Sequence, residues 1–335
     1  MDSLRAQRHV DAGTTLDQPG GAEVQDALPH MRTDPPVTDP IIEGELVEAI
    51  EPWLAHMTWR KDFAVWRERR VWQENYQQDN LRDVRAALGL KPAGKNILDL
   101  GAGMGGLSVA LLREVVGPLG LRLQALDYNP DYCRIARLRA RRYRLPLNII
   151  VAAGEHLPYP DGAFDLVVCL DVLEHVADAR AVLGEIWRVL TPGGIVLTTV
   201  PNRRAFRDPH YHLPLINWLP APIAEAAINL AGRSKRGGPL QDRQQHSALN
   251  TYTWAGFSKL AGSTGFVARD RVRDRITRGE IRQLTGWRRV LLGSLKRMGL
   301  FGAIYSAYRY GWQGTYQIAL LKSMEKRDQN HRHTR

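Results

Sequence analysis

The sequence predicts an α/β fold in which a parallel, doubly wound sheet follows a helical N-terminal extension. Three observations carry this prediction. After residue 95, apolar runs of strand length alternate with amphipathic segments, a glycine-rich loop joins the first run to a helix, and the preceding region has apolar residues at helical spacing. Because successive parallel strands need a crossover, usually a helix, this alternation favours a sheet covered on both faces.

The composition is that of a soluble globular protein. The chain has 335 residues and 44% hydrophobic content, enough for one large domain or two small ones. Its two cysteines, Cys133 and Cys169, lie in unrelated contexts, which argues against a disulfide framework and fits a reducing compartment. We see no apolar leader at the N-terminus and no uncharged apolar run of the roughly 18 residues that a spanning helix needs. We therefore expect a cytoplasmic protein.

The net charge of +11 is concentrated near the C-terminus. Residues 269–335 hold 16 Lys/Arg against five Asp/Glu, a surplus as large as that of the whole chain. Such a segment is typical of either an ordinary solvated surface or a surface for an anionic partner, such as lipid headgroups, phosphate or nucleic acid.

The first 90 residues divide into two parts. Residues 1–40 are polar and poor in aromatics, so we expect a disordered tail. Residues 41–90 are predicted to form a helical extension of two or three helices. Its apolar positions, interleaved with charges, include Trp53, Leu54, Met57, Trp66 and Trp72.

Strands and helices then alternate along the chain. The strand candidates are Asn96–Leu100, Leu121–Leu126, Leu147–Val151, Phe164–Leu170 and Gly194–Val200. The helix candidates between them are Leu107–Val116, a segment around Asp131–Arg144, and Ala179–Leu190, which Thr-Pro-Gly-Gly closes.

The helix around 131–144 is unusually basic. Arg134, Arg137, Arg141 and Arg144 recur at three- and four-residue spacing, with Arg139 and Arg142 among them. One such face can bind phosphate or nucleic acid, but charge runs are usually solvated, and we expect a solvated face.

The loop between the first strand and the first helix reads LDLGAGMGGL over residues 98–107. Its glycines at 101, 103 and 105 allow a tight turn and close approach of a ligand. Asp99 ends the strand, where a carboxylate can meet an ammonium group. Asp127 ends the second strand, where it can accept hydrogen bonds from both hydroxyls of a ribose.

With these motifs the chain resembles the class I S-adenosylmethionine-dependent methyltransferases of type 11, and within them the quinone-biosynthesis O-methyltransferases. The resemblance covers about residues 96–200 and resumes near Tyr252. It implies a Rossmann-like sheet of seven strands, mostly parallel with an antiparallel last strand, and S-adenosylmethionine as the cofactor. The cofactor-binding residues that it implies are Asp99, Gly101, Gly103, Gly105, Asp127, Tyr128, Gly154, Glu155 and Leu170.

Two later segments carry the same resemblance. Residues 154–159 look like the family's adenine-side segment, but Ala153 stands where the family has an acid. We therefore expect the backbone of Gly154 and Glu155 to serve the adenine. Residues 170–176, LDVLEHV, look like the signature that follows the fourth strand.

Methyl transfer to a hydroxyl requires removal of a proton, and histidine suits that task near neutral pH. His175 lies just beyond the fourth strand, at the sheet edge where ligands bind in open α/β folds. We take it as the candidate catalytic residue, with a purely structural role in the loop as the alternative. No cluster in the sequence has metal-ligand spacing, so no metal is predicted.

Two insertions interrupt the predicted methyltransferase domain, residues 91–322. They cover about 203–247 and 276–312, before and after the sixth strand, and a basic tail, 323–335, follows. Both should emerge at the carboxyl edge of the sheet and form helical lids, although they can also simply extend the core. The candidate substrate-binding residues on the first lid are His210, Tyr211, His212, Trp218 and His246.

The sequence thus predicts methyl transfer to a hydroxyl of a small acceptor, either hydrophobic or lipid-linked. The apolar lids and the basic surplus also predict contact with an anionic membrane surface, at the inner face of the membrane. The alternatives are RNA methylation, which the lack of an aromatic platform disfavours, and a regulatory protein that binds the cofactor without catalysis.

Overall fold

The computed structural model describes residues 39–73, 77–89, 94–234, 245–277 and 301–322, together with residues 294 and 299. Nearly all of the predicted N-terminal tail, the predicted basic tail and most of the second insertion lie outside the described residues.

A seven-stranded sheet organises the described part of the chain, in the order β3-β2-β1-β4-β5-β7-β6. The first five strands of that order run parallel, and β7 runs antiparallel to both of its neighbours. The predicted mostly parallel sheet with an antiparallel last strand is therefore confirmed. The strands are β1 (Asn96–Leu100), β2 (Arg122–Asp127), β3 (Ile149–Val151), β4 (Phe164–Cys169), β5 (Leu190–Pro201), β6 (Phe266–Asp270) and β7 (Thr315–Lys322).

Helices cover both faces of this sheet. Along the chain they are α1 (Pro40–Leu54), α2 (Phe63–Trp72), α3 (Gln78–Leu88), α4 (Gly106–Leu111), α5 (Gly117–Leu119), α6 (Pro130–Arg141), α7 (Ala179–Val189), α8 (Ala221–Leu230), α9 (Trp254–Ser263), α10 (Arg271–Thr277) and α11 (Phe301–Gly311). A π-helical turn, Leu112–Val116, joins α4 to α5, and short 3-10 turns lie at 55–57, 216–218 and 246–248.

Alternation along β1 shows how the two faces are filled. Leu98 and Leu100 pack into the cluster with α7 and α9, whereas Ile97 packs into the cluster with α3 and α4. All three side chains are buried because both faces of the sheet are covered.

The structure corrects the predicted start of the fifth strand. The sequence predicts this strand from Gly194, but β5 begins at Leu190, directly after α7. Gly193 has a φ of +77°, and the pairing of β4 with β5 shifts register between Phe164 and Leu166. The Thr-Pro-Gly-Gly segment therefore ends the helix as predicted, but it continues as an irregular part of the strand.

The N-terminal extension forms α1, α2 and α3, in agreement with the predicted helices. Leu46, Ile50 and Trp53 of α1 pack against Ile135 and Leu138 of α6. The extension therefore covers part of α6.

The expectation of a solvated basic face is confirmed for Arg134, Arg137, Arg141 and Arg144, which are all exposed, whereas the cover buries the two other arginines of this segment. Arg139 and Arg142 are buried, at 1% and 3% exposure. Arg139 donates hydrogen bonds to the backbone carbonyls of Met104, Val71 and Arg70, at 3.0, 3.1 and 2.6 Å. The sequence pattern missed this burial because the covering helices come from a distant part of the chain.

The first insertion has a small core of its own beyond the end of β5. It consists of Tyr211, Ile216, Ala224, Ile228 and Leu249.

Helix α11, the described end of the second insertion, packs at the same edge of the sheet as the first insertion. Arg309 of α11 forms a buried ion pair with Asp270 at the end of β6, with Nε and Oδ2 3.0 Å apart. Trp312 stacks on Phe206 of the first insertion, with ring centroids 4.3 Å apart. The part of the chain that the structure describes contains no helix long and apolar enough to cross a membrane.

Candidate active site

Two adjoining cavities open at the carboxyl edge of the sheet, beside the point where β1 and β4 are neighbours. Strand order reverses there, which is where ligands bind in open α/β sheets. The larger cavity has a volume of about 560 Å³ and the smaller about 280 Å³. The residues that line both are Gly101, Gly103, Tyr132 and Asp171.

The glycine loop has the tight form that the sequence predicts. Gly101 has a φ of +73°, and a Cβ there would lie 2.2 Å from Val172 Cγ2. Gly105 has a φ of +76°, and a Cβ there would lie 2.6 Å from Ala136 Cβ. Gly103 differs, because a Cβ on it would meet nothing within 4 Å. The residue lines both cavities. Glycine is thus needed for packing at two positions and leaves room for a ligand at the third.

Asp127, at the end of β2, is held against this loop. The Gly103 N–H donates to its Oδ2 at 2.8 Å, and the Asn129 N–H donates to its Oδ1 at 2.9 Å. The carboxylate is therefore oriented by backbone groups at the wall of the larger cavity, which Tyr128 also lines.

Asp99, at the end of β1, belongs to the smaller cavity. It is 3% exposed and accepts a hydrogen bond from the Ser108 hydroxyl at 2.5 Å. Burial raises the pKa of the Asp99 carboxyl to about 6; the Ser108 hydrogen bond opposes this shift and the charge of Asp127 adds to it. A cationic group bound in this cavity would be stabilised by the ionised carboxylate.

This pKa makes the binding of an ammonium-bearing ligand pH-dependent. A ligand that pairs with ionised Asp99 should lose affinity as the pH falls through about 6, because the carboxyl of the free protein then takes up a proton. For one proton we expect a loss of about tenfold per pH unit below that value. Calorimetric titration of S-adenosylhomocysteine between pH 5 and pH 8 checks this. In Asp99→Asn the affinity should be lower at pH 8 and independent of pH; a pH slope that survives the substitution would assign the effect to another group.

The remaining predicted cofactor residues divide between the cavities. Gly154 and Glu155 line the larger cavity, and Leu170 lines the smaller. Gly105 lines neither, and its role is the packing of the loop against α6.

His175 lines the larger cavity and lies in a tight turn, in which its N–H donates to the Val172 carbonyl at 2.8 Å. Next to it, Glu174 is buried at 1% exposure, and burial raises the pKa of its carboxyl. His210 from the first insertion reaches this pair. Its Nε2 lies 3.6 Å from Glu174 Oε1, and its ring lies 5.8 Å from that of His175.

Ligand-type atoms of Glu174, His175 and His210 lie within 4.8 Å of one another. That spacing is compatible with a metal ion, so the expectation of a site without metal stays a prediction. The cluster was not visible in the sequence, because His210 is far from the other two residues along the chain.

The other predicted substrate-binding residues do not join this cluster. Tyr211 is buried in the core of the first insertion, and His246 is hydrogen-bonded to Asn217, with Nε2 2.9 Å from Oδ1. His212 packs against Trp59 of the extension, with ring centroids 5.7 Å apart, and Trp218 is 53% exposed. Of the five, the structure brings His210 beside His175, which lines the larger cavity, but none of the five lines either cavity itself.

Comparison with known proteins finds similarity to methyltransferases over the central part of the chain. Residues 98–198 match the sequence model of a family described as "Methyltransferase domain". A ubiquinone biosynthesis O-methyltransferase of Xanthomonas axonopodis pv. citri is 35% identical over 115 residues, which are 34% of this chain and 46% of that protein. A demethylmenaquinone methyltransferase of Thermus thermophilus is 38% identical over 107 residues, 32% of this chain and 47% of that protein. Residues 98–198 are thus similar to a methyltransferase domain.

The match leaves much of each chain uncovered. The chain spans about half the length of the curated relatives it matches. A solved phosphoethanolamine N-methyltransferase 2 of Haemonchus contortus is similar with a TM-score of 0.46 and 17% identity, covering 74% of this chain and 53% of that one.

The residues of the two cavities fit S-adenosylmethionine. The larger cavity has the Asp127 carboxylate, which suits ribose hydroxyls. The smaller cavity has the buried Asp99, which suits an ammonium group. Gly103, which has open space beside it, lines both cavities, as a ligand with an adenosine end and an amino-acid end requires.

Sequence reasoning missed three residues of the N-terminal extension in the candidate site. Arg70, Gln77 and Asn80 line the smaller cavity together with Asp99. No pattern marks them, because they reach the cavity only through the packing of α2 and α3 beside the glycine loop. It also missed Asp171, although the residue is part of the LDVLEHV segment.

Proposed function

We propose that the protein transfers a methyl group from S-adenosylmethionine to a hydroxyl of a small acceptor. The observation that carries the proposal is the placement of Asp127 by the Gly103 N–H, beside a second cavity that ends on Asp99. The names of the curated relatives, which methylate quinone precursors or quinones, support a small acceptor.

In this proposal different residues of the chain bind different parts of the cofactor. Asp127 binds the ribose hydroxyls, Asp99 pairs with the ammonium group, and the backbone of Gly154 and Glu155 faces the adenine. The bound cofactor supplies a methyl group that its sulfonium has already activated. The protein must therefore align the acceptor oxygen with that carbon and exclude water.

His175 takes the proton of the acceptor hydroxyl in this scheme. Its imidazole lines the larger cavity, and Glu174 and His210 pack beside it. The first insertion reaches His175 through His210 and contacts the extension through Trp59, over whose ring the Arg233 guanidinium lies at 4.5 Å. These contacts support a role of the insertion in limiting access of water to the acceptor side.

The deciding experiment is a product-release assay with S-adenosylmethionine across lipid extracts, quinone precursors, glycans and RNA. We expect a methylated small molecule, and His175→Gln should lower its rate of formation by about 100-fold, the lower end of what general bases contribute. His156→Gln is the matched control, because His156 is exposed and lines neither cavity. Methylation confined to RNA would overturn the proposal.

We further propose that the acceptor is hydrophobic or lipid-linked and that the protein meets it in the cytoplasm, at an anionic membrane surface. Apolar side chains are exposed on both insertions: Leu215, Trp218 and Ile223 on the first, and Tyr308 and Trp312 on the second. Phe206 joins the two groups by stacking on Trp312, and Arg203 and Arg204 are exposed nearby in sequence. Tryptophan, tyrosine and arginine together suit the headgroup region of a membrane.

This membrane contact predicts flotation with vesicles of phosphatidylglycerol and phosphatidylcholine at low salt. Replacing both Trp218 and Trp312 by serine should reduce the floating fraction, because these two indole rings supply a large share of the apolar surface in the contact. Val65→Ser is the control, since Val65 is an exposed apolar residue of α2 at 55% exposure. Failure of the unaltered protein to float at low salt removes the membrane contact and leaves the methyl transfer proposal in place.

A further inference from the structure

Asp171 lies at the junction of the two cavities, directly after β4. It is one of four residues that line both, and it carries the one carboxylate among those four. In the proposed function the methyl group must pass at this junction, because the adenosine end occupies one cavity and the amino-acid end the other. The side chain is therefore next to the place where the acceptor must present its reacting group.

The backbone of Asp171 is held in a conformation that few such residues adopt. Its φ is +56°, in the left-handed region where non-glycine residues are uncommon and where those present often serve a site. Thr199 of β5 holds it there from two directions. The Asp171 N–H donates to Thr199 Oγ1 at 2.7 Å, and the Thr199 hydroxyl donates to Asp171 Oδ1 at 2.7 Å.

These contacts leave Oδ2 as the oxygen available to a ligand. Within the described ranges, no hydrogen bond to Asp171 Oδ2 is formed, and the residue is exposed to the cavities. The carboxylate is thus fixed in position on one oxygen and open on the other.

The Asp and Glu side chains that line the larger cavity make its charge negative. Its lining contains Asp127, Glu155 and Asp171 and no Lys or Arg among the described residues. Buried Glu174 adds a further carboxyl beside His175. The two arginines at the site, Arg70 and Arg139, line the smaller cavity instead. An anionic group entering the larger cavity would meet repulsion without a compensating cation.

We propose that Asp171 contacts the acceptor and determines the charge that its reacting end can carry. Its Oδ2 accepts a hydrogen bond from a neutral or cationic donor on the acceptor and repels a carboxylate or phosphate at that position. The inference rests on the proposed function, because it assumes the cofactor in these two cavities. It narrows the acceptor to alcohols, phenols or amines whose reacting end is not anionic.

The test uses protein loaded with S-adenosylhomocysteine and three small probes: benzylamine, benzyl alcohol and sodium benzoate. Binding is followed by saturation-transfer NMR and titration. We expect benzylammonium to bind at least about tenfold more tightly than benzoate, a modest effect for a unit charge at contact distance near a protein surface. In Asp171→Asn, which keeps the shape and the Thr199 contacts, the ratio should fall by at least about threefold, since one carboxylate is gone while Asp127 and Glu155 remain.

Two controls keep the result decisive. Asp171→Gly also removes the carboxylate and suits the left-handed backbone, so it replaces the asparagine variant should that variant fold poorly. Glu48→Gln removes an exposed carboxylate of α1 that lines neither cavity, and the probe ratio should not change. An unchanged ratio in both Asp171 variants, or benzoate binding as tightly as benzylammonium in the unaltered protein, overturns the inference. If S-adenosylhomocysteine itself does not bind, the proposed function fails and this inference fails with it.

Discussion

Replacing Asp127 by alanine is expected to raise the dissociation constant for S-adenosylhomocysteine by at least about 100-fold, measured by calorimetry at pH 8. The substitution removes a carboxylate that would accept two ribose hydroxyls, and hydrogen bonds to a charged group contribute about 1.5–3 kcal/mol each. It also leaves the N–H groups of Gly103 and Asn129 without the acceptor that now orients the loop. Loss of the ligand contacts and loosening of the loop act in the same direction.

The control for this experiment lies at the start of α6. Asp131 is exposed and only four residues further along the chain, so Asp131→Ala makes the same chemical change outside the cavity lining. Its dissociation constant should stay within about twofold of the original, as is usual for surface substitutions. Equal affinities in Asp127→Ala and the unaltered protein would show that the cofactor site is assigned to the wrong residues.

The parts of this site that the sequence predicted are those set by short stretches of chain. Strands β1 and β4 are read from continuous apolar runs, because both faces of a parallel sheet are covered. The glycine loop and the acid after β2 are read from spacing, because a tight turn and a close ligand leave few residue types to choose from. Asp99, Gly103 and Asp127 accordingly line the two cavities.

Contacts between distant segments were beyond the reach of such patterns. His210 meets Glu174 only because the first insertion folds back over the end of β4. Tyr211, its neighbour in sequence, turns into the insertion's own core instead. Periodicity predicts that residues share a face, but not which neighbouring element covers that face. The basic helix α6 shows the same limit, since the sequence could not reveal that α1 and α2 would bury Arg139.

Arg139→Met is expected to lower the free energy of unfolding by about 3 kcal/mol, because three backbone carbonyls lose a buried donor at about 1 kcal/mol or more each. The carbonyls belong to Arg70 and Val71, at the end of α2, and to Met104 in the glycine loop. For a domain of this size, the loss corresponds to a melting temperature lower by about 6–12 °C, which differential scanning calorimetry can resolve. Methionine keeps the length and apolar volume of the side chain, so the loss reports mainly on the guanidinium.

The same substitution tests whether the N-terminal extension supports the cofactor site. Since one guanidinium joins α2 to the Met104 carbonyl, its loss should weaken S-adenosylhomocysteine binding as well as stability. Arg134→Met is the control, because Arg134 is an exposed residue of the same helix. Its melting temperature and its affinity should both stay near those of the unaltered protein. If Arg139→Met lowers the melting temperature but leaves the affinity unchanged, the extension is a stabilising cover that does not reach the cofactor. A fall in both quantities makes the extension part of the site, as the positions of Arg70, Gln77 and Asn80 on the wall of the smaller cavity predict.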